Sequence, residues 1–208
     1  MNKLLEKLFP KKARKFATPS ILTLVNLYLY ANSAALFGQQ FAAQWSNVFL
    51  FYVLMGFGAF VINAFQFVKP AGAPLSWQIV VFVGGAAAVF FATAILGLNQ
   101  IGALKPQVTF SNALPAIALE ISTGGTEEVF FRGALGERLG PVWSSLLFGV
   151  WHASAYGLDP YLIGIAVVLG FVLFFIWDST RDQFGSALNG AVHVGLNLAK
   201  ILPLAAVI

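Results

Sequence analysis

Residues 126–133 read TEEVFFRG: two adjacent glutamates and an arginine set between apolar runs. Their setting decides the fold. Of the 208 residues, 59% are hydrophobic and 10% charged, whereas a soluble domain carries about 25% charged residues. A bilayer core about 30 Å thick is crossed by about 20 apolar residues of helix. Runs of that kind recur at 20–38, 47–68, 77–98, 108–136, 141–157, 160–177 and 185–206. They are apolar all round, without the period-two alternation of a transmembrane strand. The expected fold is all-α: a polytopic transmembrane helical bundle of about seven spans, with six to eight as the range. Residues 1–208 form one domain in this reading.

Helix breakers separate the runs: KPAGAP at 69–74, NQIGALKP at 99–106, LGP at 139–141, GLDP at 157–160 and DSTRDQFG at 178–185. The connections are short, so neighbouring helices should pack antiparallel. With the N-terminus inside, ten of the twelve Lys and Arg residues fall on inner segments. Only Lys105 and Lys200 fall outside. The positive-inside rule favours that orientation. Residues 1–18, with Lys3, Lys7, Lys11, Lys12, Arg14 and Lys15, read as a basic cytoplasmic leader that is retained and orients the chain. The expected location is a prokaryotic plasma membrane, as a multi-pass protein with the bilayer as its partner. The net charge of +4 is no nucleic-acid signal. No cysteine is present, which removes thiolate metal sites and cysteine nucleophiles. GGAAA at 84–88 would let two helices approach closely.

Ionisable residues inside spans are expensive and each marks a candidate site. They are Glu120, Glu127, Glu128, Arg132, His152 and His193, which include both histidines of the chain. Counting from the inner ends of their helices at 1.5 Å per residue, Glu127, His152 and His193 lie at about 15, 18 and 13 Å. Three helices thus bring polar groups to similar heights. Glu128 and Arg132 are i,i+4 neighbours suited to an ion pair. Glu127 is turned about 100° away from Glu128, towards a cavity. Asn189, His193 and Asn197 form an i,i+4,i+8 stripe. Phe148 stands one turn from His152 and can wall its ring.

EEVFFR at 127–132 fits an EExxxR pattern, FGVWH at 148–152 fits FxxxH, and HVGLN at 193–197 fits HxxxN. In order and spacing they resemble the CPBP family of intramembrane proteases, with its CAAX prenyl endopeptidases of the Rce type and bacterial Abi proteins. The resemblance covers about 120–200, and the first three runs contribute no motif. It implies peptide-bond hydrolysis within the membrane. Glu127 and His152 would activate a water, and His193 and Asn197 would stabilise the oxyanion. Glu128 and Arg132 would brace the site. The substrate would be a membrane-anchored peptide or protein: a CAAX-like, leader or C-terminal sorting peptide. No cofactor is expected. Zinc is the alternative, on Glu127, His152 and His193 with water as fourth ligand, although the chain has no HExxH run.

Other features stay open between structure and function. Glu120, seven residues before Glu127, shares its face two turns away and either lines the cavity or serves packing. Gly124 and Gly125 either loosen the helix or allow close packing. Asn189 orients His193 or packs. The competing activity classes are a proton-coupled transporter using the Glu/His cluster as a relay, and a non-catalytic immunity or adaptor protein. Transporters tend to carry internal repeats, and none is visible here.

Overall fold

The computed structural model of the chain describes residues 14–64, 71–97, 113–153 and 156–202. The basic leader up to residue 13 and the breaker at 99–106 lie outside the described residues. Helices run in the order α1 (Arg14–Phe37), α2 (Gln39–Ala64), α3 (Leu75–Ile95), α4 (Ala113–Glu128), α5 (Glu137–Trp151), α6 (Pro160–Phe184) and α7 (Ala187–Ile201). Among the described residues there is no strand. Four segments are long and apolar enough to cross a membrane: Phe16–Phe37, Ser46–Ala64, Leu75–Ile95 and Pro160–Phe184. α5 and α7 have 15 residues each, or about 22 Å of helix, short of the hydrocarbon thickness.

The breakers act where their chemistry dictates. Gly140 takes φ 69° and ψ −175° before Pro141, which turns the chain at LGP and interrupts α5 near its start. Asp159 caps α6 by accepting hydrogen bonds from the amides of Tyr161 (2.8 Å) and Leu162 (3.3 Å), with Pro160 at the first helical position. Gly185, at φ 60°, ends the same helix. α1 packs along α2, α3 along α7, and α5 along α6. At one end, the amides of Gly72 and Ala73 donate to the carbonyls of Asp182 (2.7 Å) and Gln183 (2.8 Å). Arg181 there pairs with Glu137 and covers the Trp177 ring. The α2–α3, α4–α5 and α6–α7 connections therefore meet at a common end of the bundle, as antiparallel neighbours require.

The expected close approach of helices at GGAAA is present. A Cβ on Gly85 would lie 2.9 Å from the Ala191 methyl, and one on Gly195 would lie 2.7 Å from the Ala86 carbonyl oxygen. Gly195→Val should therefore push α7 off α3 at a cost of about 1–3 kcal/mol, the range of overpacked interiors. A lowered melting temperature in detergent would show it, and an unchanged one would contradict this packing.

The helix holding TEEVFFRG differs from the regular span that periodicity predicts over 108–136. α4 passes at Val129 into a π-helical segment, Val129–Gly136. Such wide turns are uncommon and tend to sit at functional positions. Here the Phe131 carbonyl oxygen accepts the Ser144 hydroxyl of α5 at 2.7 Å. Arg132 is carried inward, where it is fully buried.

Candidate active site

The site forms where α4 and its π segment meet α2, the end of α5, and α7. Glu128 is its anchor and is fully buried. Its Oε1 accepts from the Arg132 guanidinium at 2.8 Å and from His193 Nδ1 at 2.8 Å. Its Oε2 accepts from the Asn189 amide at 2.6 Å. A carboxylate buried this deeply survives because three donors replace its water. Arg132 also donates to the Gly170 carbonyl oxygen of α6 at 3.1 Å, and its guanidinium lies 4.0 Å from the centre of the Phe148 ring. The expected ion pair is thus present, with more partners than helix spacing alone specifies.

Glu127 points elsewhere, as adjacent helical residues must. Its Oε2 lies 3.6 Å from His152 Nε2 and 3.7 Å from His193 Nε2. These separations exceed a hydrogen bond and suit a small group held between the three atoms. Both rings are oriented from their other side. His152 Nδ1 lies 2.8 Å from the Phe148 carbonyl oxygen and His193 Nδ1 lies 2.8 Å from Glu128. Those acceptors require each Nδ1 to carry its hydrogen, so both Nε2 atoms face Glu127. Phe148 separates the rings, 4.5 Å from His152 and 5.6 Å from His193 between centroids. The side chain of His152 is 16% exposed while that of His193 is 3% exposed. Access to the cluster is therefore from the His152 side, where Tyr156 stacks on that ring at 5.5 Å.

The remaining expected residues separate into two groups. Asn189 and His193 both serve Glu128. Asn197, one turn further along α7, is half-buried and makes no hydrogen bond with another described side chain. Glu120 is buried on α4 and lies within electrostatic reach of Tyr52 and Tyr156. Gly124 packs: a Cβ there would lie 3.0 Å from Val194, and the helix passes through both glycines unbroken. Among the described residues no three His, Asp or Glu side chains are grouped so as to hold a metal ion.

Two contributions come from helices that carry no motif. The Tyr52 hydroxyl of α2 donates to Glu127 Oε1. Asn26 of α1 donates to Thr126 at 3.1 Å and accepts from Ser122, which ties α1 to α4 one residue before Glu127. A lone tyrosine or asparagine in an apolar run signals that its polar end must find a partner, but the run does not say which.

The bundle, its four membrane-length helices and its buried carboxylate–imidazole cluster mark a helical membrane protein built around a polar centre. Residues 109–199 match the family model described as type II CAAX prenyl endopeptidase Rce1-like. Over this segment, which contains all three motifs, the chain is similar to that family. Comparison with curated proteins and with solved structures gave no match.

Proposed function

We propose that the protein is an intramembrane endopeptidase that hydrolyses a peptide bond of a membrane-anchored substrate of the CAAX-like, leader or sorting-peptide kind. The observation that carries this reading is the convergence of Glu127 Oε2 with the Nε2 atoms of His152 and His193 at 3.6 and 3.7 Å. In this reading the chain is multi-pass with its N-terminus inside, and the shorter helices α5 and α7 complete the polar interior rather than meet lipid along their whole length.

A water held at Oε2 hydrogen-bonds to the His152 ring. Glu127 takes its proton as the oxygen attacks the substrate carbonyl carbon. The charge that develops on the carbonyl oxygen faces His193 and Asn197. His193 Nε2 donates to it when the ring carries both hydrogens, and the half-buried Asn197 amide turns towards a bound peptide. Donors of this kind contribute about 3 kcal/mol each. The C–N bond then breaks, and Glu127 returns its proton to the leaving amine. Glu128, held by Arg132 and Asn189, keeps the His193 ring in place throughout.

The test is cleavage in vesicles of a quenched-fluorescence peptide carrying a prenylated C-terminal CAAX sequence, together with membrane-protein termini from cells making wild-type or Glu127→Ala protein. New termini that depend on Glu127 are expected. Identical termini in both cell types would remove the reading. Turnover should also survive exhaustive chelation. Its loss on chelation and return with zinc would replace the water-activating carboxylate by a metal-based scheme.

A further inference from the structure

We propose that Tyr52, on α2 and outside every motif, is a positioning residue of this site: it holds Glu127 Oε1 and thereby assigns Oε2 as the reacting oxygen. The inference rests on the reading of Glu127 as the water-activating carboxylate.

A free carboxylate presents two equivalent oxygens and rotates about its last bond. Glu127 is not free in that sense. Tyr52 donates its hydroxyl hydrogen to Oε1, while Oε2 faces both histidines. An ionised carboxylate only accepts, so in this contact the phenol hydrogen lies on the side of Glu127. The Tyr52 ring is buried against Met55, Phe131, Phe148 and Leu173. Phe131 and Phe148 belong to the elements that carry Glu127 and His152. Movement of α2 would therefore move the carboxylate relative to the rings.

The polar groups around Glu127 have other tasks. On α4 the neighbours are Glu120 and Glu128, both acceptors when ionised. Arg132 is committed to Glu128 and Gly170. His152 and His193 lie on the Oε2 side. α1 contributes the neutral Asn26, bonded to Ser122 and Thr126. Tyr156 stacks on His152.

The experiment compares wild type, Tyr52→Phe and Glu127→Gln on the vesicle-bound prenylated peptide. A hydrogen bond to a charged group contributes about 1.5–3 kcal/mol, so kcat in Tyr52→Phe should fall about 10- to 100-fold. KM should stay within about twofold, because Tyr52 acts through Glu127 and not on substrate. A loss through general destabilisation would instead lower the melting temperature and the active fraction. Infrared difference spectra of protein with ¹³C-labelled glutamate, wild type minus Glu127→Gln, isolate the Glu127 band, and that band should move in Tyr52→Phe. If the phenylalanine variant does not fold, Tyr52→Met carries the same expectations in a side chain that adapts to the gap. Wild-type kcat and an unmoved band, with Glu127→Gln inactive, overturn the proposal and leave the catalytic reading standing. Turnover persisting in Glu127→Gln overturns both.

Discussion

Glu127→Gln should lose about 10²–10⁴-fold in kcat, the range supplied by a positioned general base, and should keep or raise its melting temperature. The two expectations have separate origins. Glutamine has the shape of glutamate, and its Oε1 can still accept from Tyr52. Its amide nitrogen, placed where Oε2 was, can donate towards the Nε2 atoms of His152 and His193. Every polar contact thus keeps a partner. The charge balance moves in favour of folding, because Glu127 and Glu128 are adjacent buried carboxylates and Arg132 pairs with Glu128. Removing the Glu127 charge leaves the Glu128–Arg132 pair and ends the repulsion between the two neighbouring carboxylates. What the amide cannot do is take a proton from water. Active sites commonly carry this trade against stability. A purely structural Glu127 would show the reverse pattern, with stability lost and any turnover kept. Parallel measurement of peptide cleavage and thermal unfolding in detergent separates the two.

Arg132→Met should be the most damaging single substitution outside the reacting groups. Glu128 would stay fully buried with only His193 and Asn189 as donors, and breaking a buried pair from one side costs about 3–5 kcal/mol. Against a total of about 5–15 kcal/mol for a domain, much of the protein should unfold at moderate temperature. Pairing it with Glu128→Gln should recover part of the loss. The amide that this second substitution introduces needs an acceptor, and Asn189 offers one: its Oδ1 is buried without a hydrogen-bond partner, and reversing the Asn189 amide turns that oxygen inward. The double variant should therefore melt above Arg132→Met alone. A double variant no more stable than the single one would show that Arg132 acts through Gly170 and Phe148 rather than through Glu128.

Much of the site was legible in the sequence because its geometry is local. Glu128 and Arg132 meet across one helical turn, and Glu127 faces away from them because neighbouring residues are rotated about 100°. The breakers at 139–141, 157–160 and 178–185 name positions that the backbone uses as turns, since glycine at positive φ and proline at a helix start leave little choice. Similar heights for Glu127, His152 and His193 followed from counting residues, and the structure brings both Nε2 atoms to within 3.7 Å of Glu127 Oε2. Asn197 shows the limit of such counting. It shares the stripe of His193 but not its contacts, because one further turn along α7 carries it past the Glu128 anchor.

Composition and periodicity by themselves determined an all-helical chain with apolar segments, the order of its breaks and the candidate polar residues. Each depends on one residue's neighbours a turn or less away, and so leaves a pattern in the string. Only the tertiary structure decided that Glu128 would hold His193 as well as Arg132, that the helix would widen into π turns at Val129, and that Tyr52 of a motif-free helix would take one oxygen of Glu127. Those outcomes depend on how α2, α5 and α7 cross α4, and on which rotamer fills each gap. A side chain buried between helices is chosen by what faces it across the interface, and the residues facing Glu127 lie as far as 75 positions away in the chain.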